Sequence, residues 1–270
     1  MTKLTAASPI GIFDSGVGGL TVVRQIRALL PNEPLVYFGD TARVPYGTKS
    51  QPTIRKYAAD DARLLLKYDP KLIVVACNTV SALALDVVKE LADDIPVLGV
   101  IAAGARLAVE QSKIKRIGVI GTSATVNSGA YQSEIHRIEK NAFVFSKACP
   151  LFVPLAEEGL AAHDATKLIA KEYLTELLEA NIDALVLGCT HYPILRGAIR
   201  ETVGNSVTII DSAEAIARDI KSTLTEKSLL NSSMPCVPLK LLVSDVPQRF
   251  KSIAEVFLGV ELPDIELVEV

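Results

Sequence analysis

Two short segments of this 270-residue chain bring chemistry-bearing side chains together. Cys77-Asn78-Thr79 and Cys189-Thr190-His191 each set a thiol beside an amide or hydroxyl and a further polar group, directly after an apolar run. A thiol at the amino end of a helix meets N–H groups that favour the thiolate, the form that acts as nucleophile or base. One such cysteine would read as a small buried hydrophobe. Two at matching positions read as a functional pair, with His191 as a proton-handling neighbour of Cys189. Cys149 and Cys236 lack polar company and read as structural, and His136 and His163 fall among polar helix residues and read as solvated.

Other segments offer weaker signals. Asp14-Ser15-Gly16-Val17-Gly18-Gly19 follows an apolar run and opens a helix, so its amides can hold a carboxylate or phosphate, or simply make a tight glycine turn. A dinucleotide fingerprint is disfavoured there, because its third glycine would fall at Thr21 and Asp14 would crowd a pyrophosphate, although Asp40 stands at the end of the next strand. Zinc is disfavoured too, since Cys77, Cys189 and His191 lack a second close ligand pair. In Val44-Pro45-Tyr46-Gly47 the Tyr46 hydroxyl and Gly47 amide either reach into the same cleft as the thiols or belong to an ordinary turn, and Glu157 is either part of a helix end or a carboxylate near Cys189.

Positioning these groups requires a regular scaffold, and the sequence supplies one. Ile10–Phe13, Leu35–Phe38, Leu72–Ala76, Val97–Val100, Ile117–Ile120, Ala184–Leu187 and Val207–Ile210 read as buried parallel strands. Amphipathic stretches lie between them, at Leu20–Leu30, Thr53–Tyr68, Asn127–Ile138, Ala165–Ala180 and Ser212–Leu224. Strand and helix in turn predict an α/β fold with mainly parallel sheets. Shifting the chain by 112 residues lays Leu72–Cys77 on Ala184–Cys189, and Ile10–Phe13 resembles Ile117–Ile120. The repeat predicts two pseudo-symmetric, doubly wound lobes, with the two cysteines at the carboxyl ends of equivalent strands facing a cleft between them. A boundary near Gly99–Ala103 follows.

The composition limits the function further. A net charge of −3 and a pI near 5.7 argue against a nucleic-acid partner held through phosphates. No run approaches the ~20 apolar residues of a membrane span, so no membrane partner is expected, and the absence of a secretory pattern in the opening residues predicts a cytoplasmic protein with reduced thiols.

GIFDSGVGGLTV, YFGDTARVPYG, VVACNTVSAL, GVIGTSATV, CPLFVPLAEEG and LGCTHYPIL together resemble the glutamate racemases of the cofactor-independent aspartate/glutamate racemase superfamily. The resemblance spans nearly the whole chain. It implies interconversion of L- and D-glutamate for peptidoglycan synthesis, without pyridoxal phosphate, another cofactor or a metal. It implies Cys77 and Cys189 as the two acid/base residues, Cys77 acting on D-glutamate and Cys189 on L-glutamate, with Asp14 assisting the first and Glu157 and His191 the second. Asp14, Ser15, Tyr46, Gly47, Asn78, Thr79, Thr190 and His191 would hold the substrate, with Thr122 or Thr125 as further candidates. It also implies a lobe of residues 1–99 joined by a returning segment 211–270, a second lobe of 100–210, and a homodimer. Alternatives from the residues alone are an aspartate-specific relative, a Cys-His amidase forming a thioester on one cysteine, and a two-lobed glutamate-binding protein.

Overall fold

The computed structural model describes residues 4–232, 239–258 and 264–270, so Cys236 lies outside the described residues. Within them the strands are β1 Ile10–Asp14, β2 Leu35–Gly39, β3 Leu72–Val75, β4 Val97–Gly99, β5 Arg116–Gly121, β6 Phe143–Ala148, β7 Ala184–Gly188, β8 Thr208–Asp211, β9 Leu239–Val243 and β10 Ile265–Leu267. They form a six-stranded sheet in the order β10-β9-β2-β1-β3-β4 and a four-stranded sheet in the order β6-β5-β7-β8. The pairings are parallel. β1, β2, β3 and β7 are buried along their whole length, as expected of continuous apolar runs covered by helices on both faces. Among the described residues no helix is long and apolar enough to cross a membrane.

The predicted repeat is visible in the topology. The order β2-β1-β3-β4 in one sheet recurs as β6-β5-β7-β8 in the other. In each, the chain leaves the first strand to one side and returns to its other side. This reversal opens a crevice at the carboxyl ends of β1 and β3, and another at those of β5 and β7, the place where open α/β sheets bind ligands. Asp14 ends β1 and Cys77 follows β3; Thr122 follows β5 and Cys189 follows β7.

Two features depart from the sequence reading. β6, the counterpart of β2, carries no clear buried-strand pattern because it is an edge strand: its residues are half-buried or exposed, and Phe143 and Phe145 lie under the Arg116 guanidinium. The predicted helix Asn127–Ile138 is broken into Ser123–Asn127 and Ala130–Ile138, with Gly129 between them at a φ of 66° that favours glycine.

At the opposite, amino end of the larger sheet, Lys71 and Glu33 form a fully buried ion pair at 2.5 Å. The Lys71 ammonium also donates to the carbonyls of Ala6 (2.5 Å) and Leu229 (2.9 Å), and Glu33 Oε1 accepts from the Asn231 amide at 2.8 Å. This cluster ties the segment leading toward β9 to the loops before β2 and β3. Burial lowers the Lys71 pKa, and Glu33 works against that shift. Removing one member of such a pair leaves a buried charge uncompensated. Glu33→Ala is therefore expected to destabilise the fold by about 3–5 kcal/mol in urea unfolding; a loss under about 1 kcal/mol, the level of an exposed pair, would refute the assignment.

Candidate active site

Cys77 caps the amino end of the helix Asn78–Leu83, immediately beyond β3. Cys189 follows β7 and precedes a single 3-10 turn, Tyr192–Leu195, rather than an α-helix. Both thiols are nearly buried, and both line one cavity of about 380 Å³, a size suited to a small ligand. Ser15, Asn78 and Thr79 line it from the first repeat, and Thr122, Thr190 and His191 from the second. Val44, Pro45, Val153 and Pro154 supply apolar wall. The structure thus brings together the two sequence-predicted cysteine motifs across a shared space.

Around Cys77 the chemistry is acidic. Asp14 is fully buried; its Oδ2 accepts from the Gly19 amide at 2.8 Å, and the Thr190 hydroxyl reaches both its oxygens at 3.4 Å from the other side of the cleft. Burial pushes the Asp14 carboxyl above its usual range, against the opposing influence of His191 and nearby backbone N–H groups. The Cys77 thiol donates to Ser15 Oγ at 3.9 Å. Burial, followed by the negative Asp14, raises the Cys77 pKa. The expected depression by a helix end is overturned here: the helix is only six residues long, and its N–H contribution is outweighed by desolvation.

Around Cys189 the neighbour is a histidine. Its Sγ lies 3.9 Å from His191 Nδ1, and His191 Nε2 lies 3.0 Å from Glu157 Oε1. Burial opposes protonation of His191, yet its hydrogen bonds to Cys189 and Glu157 carry its pKa up to about 10. Glu157, ending the short helix Phe152–Glu157, is the carboxylate near Cys189. The second half-site therefore holds a histidine of raised pKa beside its thiol where the first holds a carboxyl.

The remaining predicted residues divide. Thr79, Thr122 and Thr125 form a hydroxyl cluster across the cleft at 3.0–3.3 Å. Asn78 Oδ1 accepts from the Tyr131 hydroxyl at 2.7 Å, while its Nδ2 is buried without a protein partner among the described residues. Tyr46 lines the cavity, but its hydroxyl is turned to buried carboxylates: it donates to Asp40 and lies 3.0 Å from Asp61 Oδ2. Buried carboxylates outcompete the cleft for that proton. The same network occupies Asp40, which also binds Arg43 and Ser244 and so is not free to hold a ribose. Gly47 lines the cavity and packs so closely on Thr122 that a Cβ would sit 2.5 Å from its Cβ. The glycine turn after Asp14 serves two close approaches: a Cβ on Gly19 would meet Asp14 at 2.6 Å, and one on Gly18 would meet Thr190 Oγ1 at 2.4 Å and His191 Nδ1 at 2.5 Å.

Of three sequence inferences outside this cavity, one stands and two need adjustment. Cys149 is buried, as a structural cysteine should be. His163 is exposed but caps the helix Asp164–Glu179 through Nδ1, and His136 is half-buried, with Nε2 3.0 Å from the Ala142 carbonyl. Tyr131 was not marked as functional by the sequence; its only signal is a phenol at a buried position of an amphipathic helix.

The sequence model of the Asp/Glu/Hydantoin racemase family matches residues 19–220. A glutamate racemase of Chlorobaculum tepidum is 59% identical over 266 residues, covering 98% of both chains. The chain belongs to the glutamate racemases of this family. Among solved structures of the family, the glutamate racemase of Francisella tularensis in complex with D-glutamate superposes with a TM-score of 0.92 at 44% identity, covering 98% of both chains. That of Bacillus anthracis gives 0.94 at 37% identity, covering 97% of this chain and 98% of its own. The two-lobed racemase fold is thus shared along essentially the full length.

The His191 arrangement has a consequence for stability. A histidine whose pKa is raised on folding, from about 6.5 to about 10, contributes stability that is fully present below pH ~6.5 and is lost as pH rises toward 10. The stability difference between the wild type and His191→Gln should therefore shrink across that window in urea titrations. A difference independent of pH would show that folding does not raise the His191 pKa.

Proposed function

We propose that this chain interconverts L- and D-glutamate without a cofactor, Cys77 removing the α-proton from the D-enantiomer and Cys189 from the L-enantiomer. The observation that carries the reading is that two thiols, one from each repeat, line a single small cavity. Inversion at a tetrahedral carbon requires a proton to leave one face and another to arrive at the opposite face, and two groups do this without either having to swing around the substrate. In the step, a thiolate takes the Cα proton, the C–H electron pair spreads into the adjacent carboxylate, and the opposite thiol returns a proton to Cα.

Asp14 assists Cys77, and the Glu157–His191 pair assists Cys189. Ser15, Asn78, Thr79 and Thr190 supply amide and hydroxyl groups to the carboxylates, with Tyr46 and Gly47 shaping the wall and the Gly47 amide available as a donor. Among the described residues lining the cavity there is no lysine or arginine, so local dipoles and His191 hold the dicarboxylate. Such donors also stabilise charge developing at the carboxylate in a site largely closed to water, a contribution toward the ~8–23 kcal/mol typical of enzymatic acceleration.

The same reading takes residues 1–99 with 211–270 as one lobe and 100–210 as the other, supported by β9 and β10 joining the sheet of β1 to β4. It further takes the protein as a cytoplasmic homodimer supplying D-glutamate to peptidoglycan synthesis, in line with its family. Sedimentation showing only a 28.9 kDa species would remove the dimer.

Purified, reduced protein in D2O should place deuterium at Cα of either enantiomer with no added cofactor; binding without exchange would instead identify a glutamate-binding protein. Cys77→Ser and Cys189→Ser should each lower racemisation by at least about 10²-fold, the scale of one acid/base group. Full activity in both variants would eliminate the two-thiol mechanism.

A further inference from the structure

Asn78 presents an unusual combination. It borders the cavity, its Oδ1 is satisfied by Tyr131, and its Nδ2 is buried with no partner among the described residues. A buried donor left unpaired carries a free-energy penalty of about 1–3 kcal/mol, so it marks a place where a ligand acceptor is missing. A carboxamide can turn over about its last bond and exchange donor for acceptor. Something must fix it if the donor is to face a carboxylate.

We propose that Tyr131 is a positioning residue for substrate: by donating its hydroxyl to Asn78 Oδ1, it holds the carboxamide with Nδ2 toward the cavity as a donor for a substrate carboxylate. Tyr131 itself is not a cavity-lining residue. It is buried in the helix Ala130–Ile138, between β5 and β6 in the chain, whereas Asn78 opens the helix after β3. The bond therefore reaches from one repeat to a binding group of the other, and the orientation of Asn78 depends on the two being docked. Space for the phenol is provided by Gly104, where an added Cβ would stand 3.2 Å from the Tyr131 hydroxyl oxygen and 3.2 Å from Ser212 Cβ. A phenol suits the role because its hydroxyl rides on a stiff ring packed at 2% exposure.

The inference rests on the proposed racemase reading, and its test separates the two. Glutamate affinity is measured by titration calorimetry for the wild type, Tyr131→Phe, Asn78→Ala and the double variant, with Cα deuterium exchange by the wild type run alongside. Tyr131→Phe keeps the ring and should weaken glutamate binding roughly three- to tenfold, the scale of one lost hydrogen bond. Its melting temperature should fall by no more than about 2–4 °C. In the Asn78→Ala background the same change should have no effect on affinity, because nothing remains to be oriented. Gly104→Ala, which crowds the phenol without removing it, should weaken binding in the same direction and serves in its place if Tyr131→Phe does not fold. Unchanged affinity in Tyr131→Phe, or an equal loss with and without Asn78, would overturn the positioning role. Absence of binding and exchange in the wild type would overturn the racemase reading instead.

Discussion

Two proton-transfer groups can serve one tetrahedral carbon without moving only if they approach it from opposite sides, and this constraint organises the molecule. A single open parallel sheet offers one crevice, at the carboxyl ends of the strands where the chain reverses direction. It can present a thiol to one face of a substrate. Repeating the sheet and turning the two crevices toward each other presents a second thiol to the other face. The shared strand order, β2-β1-β3-β4 and β6-β5-β7-β8, is the outcome. Glycine makes the close approach feasible: Gly18 lets the first repeat lie against Thr190 and His191, and Gly47 lets it lie against Thr122. A methyl group at either position would hold the halves apart.

The two half-sites are alike in backbone and unlike in electrostatics. Cys77 faces a buried carboxyl and Cys189 a histidine raised by its hydrogen bonds. The reaction sets a limit on what this difference can do. Enantiomers have equal free energies in water, so the equilibrium constant is one, and kcat/KM must be the same in both directions whatever surrounds each thiol. Asymmetry can appear only in kcat and KM separately, through the relative stability of the two bound forms. Different environments for the thiols are therefore fully compatible with a reversible racemase.

Much of this arrangement was legible in the sequence because it rests on short-range pattern. Buried parallel strands write themselves as unbroken apolar runs, and the 112-residue spacing of Cys77 and Cys189 exposes their equivalence. Less legible was whatever depends on competition in three dimensions. β6 was obscured because an edge strand need not be apolar on both faces. The Tyr46 hydroxyl was misdirected because two buried carboxylates, Asp40 and, fifteen residues along the chain, Asp61, claim it. Tyr131 was silent because a phenol on an amphipathic helix looks like core until its partner is known. The pKa of Cys77 was predicted with the wrong sign because a helix end can be read from sequence, whereas complete desolvation cannot.

That last error is chemically informative. The α-proton of an amino acid is so weakly acidic that an ordinary thiolate is a poor match for it, and a base of low pKa would be a worse one. Burial that raises the Cys77 pKa yields, once the proton has gone, a stronger base, narrowing the gap to the carbon acid. The corresponding difficulty is that the resting thiol resists ionisation. Asp14, itself pushed upward by burial, acts on that thiol through its charge, and is held by the Gly19 amide and touched by Thr190 from across the cleft. On the other side the surroundings differ: His191, raised in pKa, stands against Cys189 and pairs with Glu157. Both solutions depend on the same dry cleft: admitting water would lower the basicity of the first thiolate and screen the partner of the second.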